Sequence, residues 1–330
     1  MTRTATDADW LIPTAVITAL AASFPLLMLP NYAGLMPALG ILQQWLLFAA
    51  GAGSVAAAVA FWRSGEKRSL PAFRAWLTQR RETVGVLSWG VLLTGVNMTA
   101  FMWTKPLLNE LVPFWADPLL LRIDHWLTGG HHPWRLLAGL NTEAAVWFYH
   151  IGWIVMLVAT LVTVLLAAPS RRKTALLVTH ALLWSAVGPL IHCALPAGGP
   201  IFFARLGYGD HFHDLSDLSA TGRVSDYLWS TYLTGDFSAG SGISAMPSLH
   251  IATTAWMLVA LRVVAPRWLV PAGLAGGLIW LLSVALGWHY LTDGLVGGAA
   301  AWACYGAVLR LTRRSDDVGR RGARRLMPAG

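Results

Sequence analysis

Two short strings concentrate the residues able to do covalent chemistry: Ser244-Ala245-Met246-Pro247-Ser248-Leu249-His250 and Gly287-Trp288-His289-Tyr290-Leu291-Thr292-Asp293. In the second, His289 and Asp293 are four apart, a spacing that one helical turn brings onto one face. A carboxylate placed there holds one imidazole nitrogen as a donor and leaves the other free to attack or to accept a proton. In the first, Pro247 suits the first position of a helix, where its missing N–H costs nothing. The N–H groups of Ser248, Leu249 and His250 would then point outward with the positive end of the helix dipole, which makes an anion site. The Ser248 hydroxyl adds a donor.

The elements that must position these residues are membrane helices. Of 330 residues, 56% are hydrophobic and 12% charged, and the mean hydropathy is +0.55. A water-soluble domain carries about 25% charged residues, so a soluble globule is excluded, and 18 Trp exclude a disordered chain. A bilayer core of about 30 Å needs about 20 apolar residues per helix. Eight runs qualify: Leu11 to Leu29, Leu35 to Trp62, Thr83 to Trp103, Ala144 to Ala168, Thr174 to Leu195, Pro247 to Val264, Trp268 to Trp288 and Leu291 to Leu309. The expected fold is therefore an all-α, polytopic bundle. Asp7 and Asp9 precede the first run and Pro13, Pro25 and Pro30 punctuate it, so it reads as a retained helix rather than a cleaved signal.

Eight spans put both termini on one side. With that side cytoplasmic, 19 of the 24 Lys and Arg residues fall inside and five outside, as the positive-inside rule requires. Lys105, Arg122, Arg135, Arg205 and Arg223 are the five. Both strings then lie at the outer end, with Trp288 and Tyr290 at interfacial depth, where lipid phosphates sit. Two long segments are also outside. Thr104 to Glu143 reads as interfacial helices, with Trp103, Trp115, Trp126 and Trp134 suited to an aromatic belt. Pro196 to Met246, rich in Gly, Ser and Asp, reads as loop. The expected division is 1–143 for the amino-terminal helices and outer interfacial segment, 144–310 for a catalytic bundle and 311–330 for a basic cytoplasmic tail.

The pair P-S-x-H and H-x-x-x-D, each opening a membrane helix on the same side, resembles the type 2 phosphatidic acid phosphatase superfamily. The fuller strings A-M-P-S-L-H and W-H-Y-x-x-D-G are most similar to its inositol phosphorylceramide synthase-like, inositolphosphotransferase branch, over about Leu183 to Trp302. That resemblance implies that His289 is a nucleophile forming a phosphohistidine, that Asp293 orients it and that His250 protonates the leaving oxygen. It also implies that Ser248 and nearby N–H groups bind the phosphate. Where the phosphatase branch has S-R, six to seven residues before the nucleophile, this chain has Leu282 and Ser283, and the K-x6-R-P motif is absent. In its place stands Leu195-Pro196-Ala197-Gly198-Gly199-Pro200-Ile201-Phe202-Phe203-Ala204-Arg205, similar to the Gly-Pro motif of the synthase-like branch. Gly199 and Arg205 are accordingly expected at the phosphate, since a transferring phosphoryl group needs its charge neutralised. Arg223 and Lys105 stand in reserve.

The expected activity is phosphotransfer from a lipid-linked phosphate or phosphodiester. Water as acceptor would make the chain a lipid phosphate phosphatase, and an alcohol would make it a head-group transferase. A non-catalytic lipid-binding or transport protein is the reading from a different class. No cofactor and no metal are expected. His211 and His213 among Asp210, Asp214 and Asp217 read as a solvated cluster rather than a metal site. His131 and His132 read as polar loop, and His150, His180 and His192 as partners in helix-to-helix hydrogen bonds, with His192 nearest the site. Cys193 and Cys304 read as buried small hydrophobes. The net charge of +8 reports orientation and affinity for anionic lipid, not nucleic-acid binding.

Overall fold

A computed structural model of the chain describes residues 5–66, 68–216 and 219–325, without the side chains of 216, 219, 220 and 313–325. Arg3, Lys67, Asp217 and the basic side chains of the carboxy-terminal tail therefore lie outside the described residues. The described chain has helices as its regular structure and no strands, with α1 (Ala8–Met28), α2 (Leu35–Arg63), α3 (Leu70–Gln79), α4 (Arg81–Leu111), α5 (Asp117–Leu127), α6 (Glu143–Leu166), α7 (Arg171–Ala194), α8 (Ser219–Thr234), α9 (Leu249–Val264), α10 (Pro266–Ala285) and α11 (Leu291–Arg325).

Seven of these helices are long and apolar enough to cross a membrane, and the eighth expected span, α9, has only 16 residues. At about 1.5 Å per residue, α9 covers about 24 Å and falls short of a bilayer core. The cause lies in the segment before it. Ile243, Ala245, Met246 and Ser248 are each no more than 1% exposed, so an extended stretch runs down into the bundle before the helix begins. Irregular backbone at such depth is tolerated where protein surrounds it or it lines a cavity.

The main apolar core brings α9 against α6, α7, α10 and α11, with Trp153, Trp184, Trp256, Leu161 and Ile279 at its centre. Gly297 sets how closely α9 and α11 cross, because a Cβ there would stand 2.6 Å from the Ser248 carbonyl oxygen. The amino-terminal helices are more peripheral: α1 packs on α4 and α7, and α2 packs on α4. Two turns of the long helices are widened into π-bulges, Phe148–Gly152 in α6 and Leu183–Val187 in α7. Such bulges recur at functional sites because the extra residue redirects side chains.

Two expectations about the segments between spans change. The stretch expected to be loop contains α8. Its inward stripe of Thr221, Ser225, Leu228 and Tyr232 is interleaved with Gly222, Ser and Thr, which hid the helical period. In the other segment, Trp126 is 80% exposed as an aromatic belt requires, but Trp103 and Trp134 are buried. The Trp103 indole N–H donates to the Ala33 carbonyl at 2.7 Å and so serves packing.

Candidate active site

The three motif strings come from distant parts of the chain and are stitched together by main-chain hydrogen bonds. Ala245 N–H donates to Ala197 O (2.9 Å), Ile201 N–H to Gly287 O (3.0 Å) and Ser248 N–H to Asp293 O (3.2 Å). Gly199 can take part because its φ is +101° and a Cβ would stand 2.5 Å from the Trp288 carbonyl oxygen. Only glycine suits both conditions.

His289 lies in the turn before α11, and its Nδ1 faces two acceptors: the Ala245 carbonyl at 2.8 Å and Asp293 Oδ2 at 3.3 Å. A carbonyl has no proton to give, so Nδ1 carries the hydrogen and Nε2 keeps its lone pair. His289 precedes the helix, so the contact with Asp293 is not a helical i,i+4 pair as the spacing alone suggests. Tyr290 is the cap residue, and Asp293, three places on, reaches back to accept the Tyr290 N–H at 2.9 Å. This is the carboxylate half of a capping box. One oxygen of Asp293 thus fixes both the helix start and the imidazole.

A cavity of about 680 Å³ opens in front of His289. Its polar wall comprises His289, His250, Ser244, His150 and Lys105, and its apolar wall includes Phe101, Trp153, Trp184, Phe202 and Trp288. The His250 ring lies on Tyr149, with centroids 4.4 Å apart and planes 18° apart, and 4.2 Å from the Trp153 ring. These contacts set the plane in which His250 can offer a proton. The π-bulge in α6 supplies Tyr149 and His150, so His150 faces the cavity rather than making the expected helix-to-helix bond.

Ser248 is the cap residue of α9 and its hydroxyl accepts the Ile251 N–H at 3.4 Å; Pro247 therefore stands before the helix, not at its first position. The first-turn N–H groups of Leu249 and His250 remain as donors at the helix start, and both residues line the cavity. The expected Gly199 contact goes elsewhere, since its N–H donates to Asp117 Oδ1 at 2.8 Å. Arg205 lies away from the cavity lining and pairs with Asp226 at 2.5 Å, and Arg223 is an exposed residue of α8. Lys105 lines the cavity, and among the described residues its ammonium has no hydrogen-bond or ion-pair partner. The cation that lines the cavity with His289 is thus Lys105, a reserve choice on sequence grounds.

His192 is buried and acts one step behind the lining: its Nδ1 is 3.0 Å from Ser244 Oγ, and Asn109 locks the adjacent irregular segment by donating to Ile243 O and accepting from Ile243 N–H, both at 2.7 Å. His180 packs against Trp256 with centroids 4.7 Å apart, remote from the site. His132 faces His125 at 3.0 Å, and His213 pairs with Asp214 at 2.5 Å. Among the described residues no group of three or more His, Cys, Asp or Glu could hold a metal ion. Cys193 is exposed rather than buried, and Cys304 is half-buried.

Two further carboxylates, not expected from the motifs, are buried beside the site. Asp117 and Asp124, seven apart on α5, are 0% and 2% exposed. Asp117 accepts the N–H groups of Gly198 (2.9 Å) and Gly199 and the Tyr290 hydroxyl (2.9 Å). Asp124 accepts the N–H groups of Leu291 (2.7 Å) and Thr292 (3.0 Å) and the Thr292 hydroxyl (2.6 Å). Burial lifts both carboxyls above the ordinary carboxylate range, and the donated hydrogen bonds oppose that rise. A single amphipathic helix therefore grips the glycine motif and the start of α11 together. The signal was legible in principle: residues 117, 120, 121 and 124 form one helical stripe with two leucines at its centre.

A sequence profile of the PAP2 superfamily matches residues 118–307, more than half of the chain, which takes in α5 from Pro118 onward and both histidine motifs. No curated protein and no solved structure matches the chain. An all-helical membrane bundle holding a histidine pair at one end agrees with that match, and the chain belongs to the PAP2 superfamily of membrane phosphatases and phosphotransferases.

Proposed function

We propose that the chain is a membrane phosphotransferase acting on a lipid-linked phosphate or phosphodiester through a phosphohistidine at the outer membrane face. The orientation of His289 carries this reading: with Nδ1 held by Ala245 O and Asp293, the Nε2 lone pair is the free nucleophile. Nε2 attacks phosphorus and forms the N–P bond while the bond to the leaving oxygen breaks. His250 gives that oxygen a proton. In the second step the neutral His250 takes the proton of an acceptor hydroxyl, whose oxygen attacks phosphorus and frees His289. Lys105 and the N–H groups at the start of α9 neutralise the phosphoryl oxygens in both steps.

The aromatic lining limits the water available to the phosphohistidine and favours an alcohol acceptor. The outer location is supported by the positive-inside rule, since 19 of the 24 Lys and Arg residues fall in segments expected on the cytoplasmic side. The reading is tested by incubating purified protein with labelled phospholipid and candidate alcohols, followed by mass spectrometry of the lipids. A new head-grouped lipid is the expected product. Release of free phosphate alone would assign the chain to the hydrolases instead, and no turnover of any lipid phosphate would sink the enzymatic reading.

A further inference from the structure

The cavity does not end at the polar residues. Met98, Phe101, Met102 and Lys105 all line it, at positions i, i+3, i+4 and i+7 of α4, so one face of that helix looks into it. The stripe changes character along its length: the cation is at the end nearest the site, and the three residues further along are apolar. Lys105 and Met98 are seven residues apart, about 10 Å along the axis. Ile41 and Gln44 of α2, at i and i+3, line the same space. Gln44 is also exposed, so the cavity reaches the surface of α2 that the bundle leaves uncovered. Only 11% of the apolar window of α2 is buried inside the structure.

We infer that the apolar stripe of α4, together with Ile41 and Gln44 of α2, is a binding arm for the alkyl chain next to the phosphate of a lipid substrate, reached sideways from the hydrocarbon beside α2. The inference rests on the reading that His289 acts on a lipid phosphate. Its support is the order of chemistries on one helix face. A ligand held with its anion at Lys105 and extending along this face passes Met102 and Phe101 to Met98, a surface that suits a methylene chain and not a polar head group. Both walls of the arm lie outside the segment matched by the superfamily profile, so the arm belongs to this chain's own amino-terminal helices.

The full-length protein in detergent micelles, given a series of monoalkyl phosphates from butyl to dodecyl, tests the arm. The readout is the ratio of kcat/KM for dodecyl to that for butyl phosphate, in which any loss of folded protein cancels. Each methylene that enters the arm strengthens binding several-fold, so the wild-type ratio is expected to exceed about tenfold. Met98→Trp fills the arm from α4 and Ile41→Trp fills it from α2. Each is expected to lower the ratio by at least about fivefold. If Met98→Trp fails to fold, Ile41→Trp on the peripheral helix decides alone. A wild-type ratio near one, or a ratio unchanged in the variants, would overturn the arm and leave the phosphotransferase reading standing. Failure of the wild-type protein to cleave any alkyl or lipid phosphate would overturn both.

Discussion

At the scale of the residue, the account rests on which nitrogen of His289 carries the proton. Two acceptors at 2.8 and 3.3 Å crowd Nδ1, and neither requires help from bound substrate, so the proposed nucleophile is oriented before any ligand arrives. His289→Ala is expected to remove turnover to the limit of detection in a purified-protein assay against a panel of lipid phosphates. His250→Ala is expected to lower kcat by about 10² to 10⁴, the range of a lost general acid. The same assay ranks the cations. Lys105→Met, which removes the charge from the cavity wall, is expected to lower kcat/KM by about 10² to 10³. Arg205→Met, which breaks the surface pair with Asp226 and the contact of the guanidinium with the Trp229 ring, both away from the cavity lining, is expected to stay within about twofold of wild type. Equal losses in both variants would contradict the placement of Lys105 at the phosphate.

At the scale of the element, α5 is the part that ties the site together. It presents two carboxylates, one turned to the Gly198-Gly199 loop and one to the first turn of α11. Asp124→Asn replaces a carboxylate that accepts three hydrogen bonds with an amide that has a single acceptor oxygen. Loss of a cap of this kind costs about 0.5 to 2 kcal/mol, so a lowered midpoint of thermal unfolding is expected, together with a fall in kcat as the His289 turn loosens. A kcat unchanged alongside a lower midpoint would show that α5 stabilises the fold without positioning the turn. The sequence exposed its elements unevenly. Seven spans were plain from apolar runs alone, because each must satisfy its backbone in lipid by itself. The short α9 hid its true start, since Pro247 and Ser248 look like helix-opening residues and one of them caps from outside. Helix α8 reads as loop in the sequence because Gly222 and its Ser and Thr residues carry turn chemistry. Asp117 and Asp124 carry no local sign of burial, because a charged residue on an amphipathic helix reads as its wet face. Their burial depends on backbone N–H groups contributed from positions 198, 199, 291 and 292, which no local pattern reveals.

At the scale of the whole molecule, the chain separates charge from chemistry. Nineteen of its 24 basic residues belong to loops and ends expected in the cytoplasm, while both histidine motifs gather at the other end of the bundle. With that orientation the net +8 brings no general attraction for an anionic substrate, and the proposed phosphate site would depend on Lys105 and the start of α9, both at the cavity. Reporter fusions test the orientation. A fluorescent protein fused after Gly330 is expected to mature in the cytoplasm, and a secreted-type reporter inserted at Gly207 is expected to be active outside. The reverse pattern would place the site on the inner face. The central claim, a covalent phosphohistidine on His289, has a more direct test. Purified protein is mixed with ³²P-labelled lipid phosphate, quenched in alkali to preserve an N–P bond, and the labelled peptide is sequenced by mass spectrometry. The account predicts label on His289 in the wild-type protein, accumulation of that label when the acceptor is withheld, and none in His289→Ala. Turnover with no trapped label, or label that persists in His289→Ala, would contradict it.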